Sequence, residues 1–226
     1  MSFKKNKYTI IRKAISKDLA IFVANYFNMQ KQVYDTCLRQ KYISPFEQIL
    51  GFYEKEDGQI PHTYSQYSNI AMETLLLKCQ PVMEKTTGLK LYPAYTYARI
   101  YKKGDILERH KDRFSCEIST TMNLGGDDWP IYLNPNPKAG NVYGDKYGEH
   151  GIQKYSPTKD KGIKVNLKPG DMLVYSGCEL EHWREKFKGK ECTQVFLHYN
   201  NRKTPGAKDN IFDKRPHLGL PSWFKR

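Results

Sequence analysis

Two histidines and one aspartate carry the clearest chemical signal in this sequence. His110 and Asp112 are separated by one residue, and His182 stands in the tripeptide Glu181-His182-Trp183. Two imidazoles and one carboxylate can occupy one face of a ferrous ion and leave its other positions open for oxygen and an oxo acid. On a strand, residues two apart point to the same side, so His110 and Asp112 can face one cavity. The triplet therefore predicts a metal centre for oxidative chemistry.

The context of His182 distinguishes it from the other histidines. A His-x-Asp pair alone is common by chance, and the third ligand must come from far along the chain. His182 closely follows the apolar, β-like residues 171–177, which begin after a Pro-Gly turn. A closed sheet could bring this position next to His110. The remaining histidines lack this setting: His62, His150, His198 and His217.

The order of predicted elements indicates an α+β fold that is mainly β. Ser16 can cap a helix over about residues 17–34, and a second helix starts after Ser68 and contains Pro81. From residue 89 the pattern becomes β-like, with turn residues between short apolar runs. These runs are residues 91–101, 116–124, 130–133, 163–167, 171–175 and 192–199. We expect a double-stranded β-helix, the jelly roll, with supporting N-terminal helices.

Length and composition fit one globular domain. The 226 residues, 39% of them hydrophobic, can bury one core. We expect mainly helical support over 1–88, the jelly-roll core over 89–200 and a C-terminal tail over 201–226. No signal peptide or apolar run of roughly 20 residues is apparent, which predicts a cytoplasmic protein without a membrane span. Five cysteines without close pairs favour reduced thiols.

The charge balance leaves the choice of partner open. Thirty-seven basic and 24 acidic residues give a net charge of +13, which could attract nucleic acid or an acidic protein. The lysines are spread along the chain and form no recognised nucleic-acid module, so a nucleic-acid partner is not favoured. The same positive surface can draw in an anionic oxo acid. The sequence does not determine the oligomeric state.

Several further segments occur around the triplet in a specific order. They are residues 86–88 at the end of the second helix, residues 93–101, Gly104, residues 110–113, residues 116–124, the turn at 167–171, and the last strand at 194–199. In this order and spacing, the sequence resembles the iron(II)- and 2-oxoglutarate-dependent oxygenases, and within them the prolyl 4-hydroxylase-like group. The resemblance covers roughly residues 68–200. It implies that His110, Asp112 and His182 bind Fe(II).

The resemblance also implies that a basic side chain holds the far carboxylate of 2-oxoglutarate. In the prolyl hydroxylases this cation follows the distal histidine, but Cys192 stands at the matching position here. Three candidates remain. Lys190 reaches the anchor position if the end of the last strand is aligned, Arg184 follows His182 by two residues, and Arg99 precedes the metal pair. A buried anion needs such a cation because either charge left unpaired is costly.

Other side chains complete the predicted cofactor site. Tyr101 matches a tyrosine whose hydroxyl, in the prolyl-hydroxylase pattern, can bond the oxo-acid carboxylate. Thr121 and Asn123 would lie inside the barrel as further contacts. The cofactors implied by the resemblance are Fe(II), 2-oxoglutarate and O2, with ascorbate as a candidate reductant.

The predicted substrate contacts are Tyr97, Arg113 and Trp183, the last as an apolar surface for a proline ring. Residues 134–162 are rich in glycine, proline, lysine and tyrosine and are interpreted as an insert or lid of undetermined role. Residues 53–67 could also cover a polypeptide. The tyrosines proposed for that wall are Tyr64, Tyr67 and Tyr143.

The sequence thus predicts a 2-oxoglutarate-dependent dioxygenase that hydroxylates a C–H bond and releases succinate and CO2. A protein or peptide side chain is the favoured substrate, as in prolyl hydroxylation. A free amino acid or another small molecule is the alternative substrate. A non-catalytic jelly-roll protein that binds a metal such as zinc is the alternative of a different class.

Overall fold

The computed structural model describes residues 3–53, 59–140 and 157–225, together with the backbone of residues 142–143 and 154–155. The helices are α1 (Phe3–Asn6), α2 (Lys17–Arg39) and α3 (Ile70–Thr87), with 3-10 turns at Phe114–Cys116 and Lys208–Lys214. The strands are β1 (Tyr8–Ile11), β2 (Phe52–Tyr53), β3 (Tyr64–Tyr67), β4 (Leu91–Lys102), β5 (Leu107–His110), β6 (Ile118–Gly126), β7 (Ile131–Leu133), β8 (Val142–Tyr143), β9 (Lys154–Tyr155), β10 (Ile163–Val165), β11 (Met172–Ser176), β12 (His182–Arg184) and β13 (Glu191–Asn201).

Two antiparallel sheets form the core of the fold. The larger sheet has the order β1-β11-β6-β13-β4-β3-β2, and the smaller has the order β10-β7-β12-β5. Apolar side chains from both sheets pack together between them, with Ile131 and Leu133 of the smaller sheet against Leu173 and Tyr175 of the larger. This is the double-stranded β-helix predicted from the sequence, and the prediction is confirmed.

The helix α2 covers the outer face of the larger sheet. Its first turn is capped by Ser16, whose side chain accepts a hydrogen bond from the backbone of Leu19. The helix continues to Arg39, beyond the predicted end at residue 34. Its buried face contributes to the main apolar core. The residues of this face are Ala20, Val23, Ala24, Phe27 and Tyr34.

The helix α3 begins and ends at residues that suit those positions. Asn69 accepts hydrogen bonds from the backbone of the first turn, and Gly88 ends the helix with a left-handed φ of 73°. The helix runs through Pro81. Among the described residues, every helix is too short or too polar to traverse a lipid bilayer.

The first 88 residues contribute strands as well as helices. Strand β1 pairs with β11, and β3 pairs with β4, so both extend the larger sheet. These strands have only four residues each. Such short segments carry little alternation in sequence, so the sequence analysis predicted no strand at these positions. Tyr64 packs against Phe27 and Tyr34 in the core, away from the predicted substrate wall.

Two ionic contacts hold the C-terminal tail against the core, and one of them is fully buried. Arg215 pairs with Glu73 of α3 at 2.8 Å, and both side chains are almost fully buried. Asp213 binds both terminal nitrogens of Arg113, at 3.2 and 3.1 Å, and accepts hydrogen bonds from Ser115 and Tyr67. The tail is thereby tied to the chain segment that directly follows Asp112.

The environment of Asp213 makes a pH-dependent contribution to stability. Burial alone would raise its pKa, but Arg113 and the two hydroxyl donors outweigh it and lower the pKa to about 2. A carboxyl whose pKa falls on folding stabilises the protein above its ordinary pKa, and this contribution is lost as the pH falls through the folded value.

We expect Asp213→Asn to lower the free energy of unfolding by about 2 kcal/mol near neutral pH, because it removes this charge and keeps the shape. The difference from the unmodified protein should shrink as the pH falls from about 4 to about 2. Urea unfolding at several pH values measures it. Asp209→Asn, at an exposed position in the same tail, should have little effect. Equal stability of the Asp213→Asn variant and the unmodified protein at neutral pH would contradict the prediction.

Candidate metal centre

The two predicted histidine ligands lie directly opposite each other on neighbouring strands. His110 ends β5 and His182 begins β12, and the antiparallel pairing of these strands places one residue across from the other. Side chains of such a pair lie on the same face of the sheet. The two imidazole centroids are 4.2 Å apart. The smaller sheet therefore brings together two residues that are distant in the sequence.

Backbone carbonyl groups set the tautomer of both imidazoles. His110 Nδ1 lies 2.7 Å from the carbonyl oxygen of Glu108, and His182 Nδ1 lies 3.0 Å from that of Leu180. A carbonyl oxygen only accepts, so each Nδ1 carries the hydrogen and each Nε2 keeps its lone pair. The Nε2 atoms lie 3.6 and 3.4 Å from Asp112 Oδ1. Three ligand atoms thus converge on one point.

Asp112 reaches this point from a loop. The sequence predicted that one strand would carry both His110 and Asp112, but β5 ends at His110. The backbone N–H of Asp112 donates to the carbonyl of Gly177 at 2.9 Å, and the Ser119 hydroxyl donates to Asp112 Oδ2 at 2.8 Å. These contacts fix the carboxylate with Oδ1 towards the imidazoles.

Gly177 has no room for a side chain. A Cβ atom at this position would lie 2.3 Å from Asp112 Oδ2 and 2.3 Å from the carbonyl oxygen of Cys116. Both distances are far shorter than any van der Waals contact. The close approach of Asp112 to the turn after β11 therefore requires glycine.

The electrostatics of the triplet suit a divalent cation. Burial, assisted by the charge of His182, lowers the pKa of His110 to about 4. Burial alone would raise the pKa of Asp112, but the neighbouring histidines hold it below its ordinary value. Burial would lower the pKa of His182, but the Asp112 carboxylate raises it. An ionised carboxylate beside imidazoles with free Nε2 atoms is the donor set that Fe(II) takes in such sites.

The triplet opens into a cavity of about 220 Å³. Alternate residues of β4 line one wall, namely Tyr95, Tyr97, Arg99 and Tyr101. Three of these were predicted from the sequence. Arg99 Nη1 donates to the carbonyl of Ile60 at 3.4 Å. The other lining residues are Gln59, Leu107, His110, Asp112, Cys116, Ile131, Tyr175, His182, Phe196 and His198.

Arg184 is a buried cation with neutral partners. Its terminal nitrogens donate to the carbonyl of Trp129, to Thr121 Oγ1 at 3.0 Å and to Gln194 Oε1 at 3.4 Å. Its Nε has no hydrogen-bond partner in the structure. No carboxylate pairs with it among the described residues. Burial lowers its pKa below the ordinary value. An uncompensated buried charge of this kind is costly, which suits the binding of an anion.

Arg184 is not among the residues that line the cavity, but it lies behind Tyr101. Its guanidinium lies over the Trp129 ring at 5.0 Å, and that ring is 4.7 Å from the ring of Tyr101. Burial raises the pKa of Tyr101 and Tyr175, both of which line the cavity, and the charge of Arg184 opposes that rise. The guanidinium is therefore within electrostatic reach of both rings. In the described part of the chain, neither tyrosine hydroxyl has a hydrogen-bond partner.

Lys190, another candidate for the 2-oxoglutarate anchor, lies away from the cavity. Lys190 is exposed immediately before β13, and its backbone N–H donates to Asp127 at 2.6 Å. It is absent from the residues that line the cavity. Cys192 is buried in an apolar cluster with Trp129 and Phe187. The turn between β12 and β13 faces solvent, so its lysine does not point into the barrel.

Thr121 and Asn123, which were also predicted as cofactor contacts, do not line the cavity. Thr121 donates to Gln194 at 3.2 Å and accepts from Arg184, so it holds the guanidinium. Asn123 donates to the carbonyl of Leu167 at 2.8 Å and braces the turn before β11. Its amide nitrogen is therefore committed to a backbone contact, and it does not line the cavity.

The prediction for Trp183 is corrected by the alternation of side chains along β12. Because His182 and Arg184 point inward, Trp183 points outward. Its ring lies under the Arg109 guanidinium at 3.5 Å and stacks on Tyr132 at 5.7 Å. It offers no surface to the cavity. Arg113 also lies outside the lining residues, over the ring of Tyr95 at 4.8 Å.

Several cavity residues were missed by the sequence analysis. Phe196 and His198 follow the inward alternation of β13, a signal that was present in the sequence. Tyr175 lies on β11 with its ring 4.6 Å from His182. Cys116 belongs to a 3-10 turn, whereas the sequence analysis predicted that a strand begins at this residue. The predicted lid falls largely outside the described residues, as does the side chain of Tyr143.

Comparisons with known proteins support the fold. Scans of protein-family models and of curated proteins give no match. A prolyl-4-hydroxylase from Pseudomonas putida is similar in structure, with 14% identity, 88% of this chain and 95% of that chain covered, and a TM-score of 0.52. The non-heme alpha-ketoglutarate-dependent epimerase SnoN from nogalamycin biosynthesis has 11% identity, coverage of 97% and 89%, and a TM-score of 0.59.

A third solved structure contains a metal and the oxo acid. HygX from Streptomyces hygroscopicus, with nickel and 2-oxoglutarate bound, has 11% identity, coverage of 89% of this chain and 85% of that chain, and a TM-score of 0.51. At these identities the likeness concerns the fold. The chain therefore has the jelly-roll fold of the 2-oxoglutarate-dependent oxygenases, a prolyl-4-hydroxylase among them.

Proposed function

We propose that this protein is an Fe(II)- and 2-oxoglutarate-dependent dioxygenase that hydroxylates a C–H bond and releases succinate and CO2. The observation that carries the proposal is the convergence of two imidazole Nε2 atoms and Asp112 Oδ1 at the wall of one cavity. His110, Asp112 and His182 would hold the metal. When bound, ferrous iron supplies oxygen activation coupled to oxidation of the oxo acid.

The separation of the triplet and Arg184 along β12 suits the length of the oxo acid. His182 and Arg184 are two residues apart on β12 and point to the same side, so their Cα atoms are about 6.5 Å apart. A five-carbon diacid can span this distance with one end at the metal and the other at the guanidinium. The neutral partners of Arg184 leave its charge available for the far carboxylate.

Tyrosine hydroxyl groups complete this subsite. Tyr101 and Tyr175 line the cavity near Arg184, and their hydroxyl groups can donate to a carboxylate. Apolar side chains around them, Leu107 and Ile131, restrict water near the bound anion. Removing water strengthens the attraction between guanidinium and carboxylate.

Other residues of the cavity wall are available to the carbon that reacts. Tyr95 and Tyr97 line the cavity and belong to one cluster with Cys116. This aromatic lining suits an apolar group, and a protein or peptide side chain is the first candidate substrate. Proline is the first residue to test, since one structurally similar protein is a prolyl-4-hydroxylase. A small molecule is the second candidate, because SnoN is an epimerase of nogalamycin biosynthesis.

Anaerobic addition of Fe(II) and 2-oxoglutarate to the metal-free protein should produce the weak visible charge-transfer band of a chelated complex. His110→Ala should abolish the band because it removes one of three ligands. His217→Ala, which changes an exposed histidine, should leave it intact. Stoichiometric iron binding without a band would favour the non-catalytic metal-binding alternative.

The anchor can be identified from the dependence of the same band on 2-oxoglutarate concentration. Arg184→Met should weaken 2-oxoglutarate binding by about 100-fold, since losing one partner of a buried ion pair costs roughly 3 kcal/mol. Iron affinity should change little. Methionine keeps the apolar volume, and an apolar residue often replaces a buried charge without loss of stability.

Two matched variants serve as comparisons for this prediction. Lys190→Met should leave the concentration dependence unchanged, because the side chain is exposed and outside the cavity. Arg99→Met tests a cation that lines the cavity. If Lys190→Met or Arg99→Met weakened binding and Arg184→Met did not, the assignment of the anchor to Arg184 would be wrong.

A further inference from the structure

A second group of potential metal ligands lies beside the first. One ligand atom each of Asp112, Cys116 and His198 lies within 4.8 Å of the others. Cys116 and His198 are 4% and 6% exposed, and both line the cavity. The group shares Asp112 with the triplet but uses a thiol and a third imidazole that the proposed oxygenase chemistry does not require.

Neighbouring polar groups orient each member of this group. The Ser119 hydroxyl lies 2.8 Å from Asp112 Oδ2 and 3.0 Å from His198 Nδ1. The Tyr95 hydroxyl lies 3.1 Å from Cys116 Sγ. Outer contacts of this kind hold metal ligands in place and strengthen binding. A hydroxyl beside sulfur also stabilises a thiolate by donating a hydrogen bond to it.

The positive charge nearest to the thiol in this group of contacts belongs to Arg113, which is itself paired with Asp213 at 3.1 Å. The Arg113 guanidinium lies over the Tyr95 ring at 4.8 Å, and Tyr95 contacts Cys116. A bound cation deprotonates a coordinating thiol outright. The sulfur–hydrogen bond is then replaced by a sulfur–metal bond, and the proton passes to solvent.

We propose that Asp112, Cys116 and His198 form a second metal site for a divalent cation that accepts thiolate ligands, such as Zn²⁺. Sulfur, imidazole nitrogen and carboxylate oxygen are the ligand types of zinc in proteins. The hard cations Mg²⁺ and Ca²⁺ prefer oxygen ligands and are poorly matched to it. The proposal stands on this geometry and does not depend on oxygenase activity.

Sharing Asp112 couples the two sites. A cation at the second site draws on the same carboxylate that faces His110 and His182, and it adds positive charge beside them. Each cation therefore weakens binding of the other. Zinc at the second site would oppose the binding of iron at the first, even where both imidazoles of the triplet remain free.

Cobalt is a suitable probe, because a thiolate bound to Co²⁺ gives a charge-transfer band in the near ultraviolet. Metal-free protein is titrated anaerobically with Co²⁺. We expect the band in the unmodified protein and also in His110→Ala, which lacks a ligand of the first site. Cys116→Ser and His198→Gln should each lose it. Circular dichroism checks that each variant is folded.

Cys178→Ser is the matched control, because Cys178 is a second thiol near Asp112 that lies outside the group. This variant should keep the band. Absence of a thiolate band from the unmodified protein would overturn the proposal, and so would a band that survives Cys116→Ser. The His198→Gln variant gives an independent result if Cys116→Ser does not fold. The visible Fe(II)–2-oxoglutarate band reports on the first site separately, so the two proposals can fail independently.

Discussion

The antiparallel pairing of β5 with β12 is the contact on which the site depends. It places His110 and His182 directly across from each other, and the backbone carbonyl two residues before each histidine accepts a hydrogen bond from its ring. Both rings are therefore oriented before any ligand arrives. The carboxylate of Asp112 completes the set only because the loop after β5 is held against the turn after β11. The strand pairing, the hydrogen bonds to the two carbonyl groups and the loop contact together hold the three donor atoms in place.

Much of this arrangement could be predicted from the sequence. The short apolar runs after residue 89 located most strands of the barrel, and the spacing of His110, Asp112 and the isolated His182 identified the triplet. The alternation of side chains along a strand also predicts that Trp183 faces outward, because its neighbour His182 faces inward. The expectation of an apolar substrate surface there conflicted with that rule.

Other features depend on tertiary contacts that spacing does not encode. The sequence left Lys190, Arg184 and Arg99 open as anchors, because burial of each side chain depends on which strands surround it. Arg184 is enclosed by residues of three other chain segments, among them Thr121 and Gln194.

The contacts of Asp213 with Arg113, Ser115 and Tyr67 could not be predicted from the sequence either. Three successive residues there, 212–214, have positive φ, at roughly 1–2 kcal/mol each, and the ionic contacts of the tail offset this strain.

The tight turn at Gly177 has a consequence for how such a protein can lose its chemistry during evolution. Any side chain there would collide with Asp112, Cys116 and Ser119 at once. A single substitution could thus displace the carboxylate while every coordinating residue stays in place. Inspection of the ligand triplet alone would then classify the altered descendant as active. Surveys that separate functional from degenerate relatives should therefore include this glycine, although it contributes no atom to coordination.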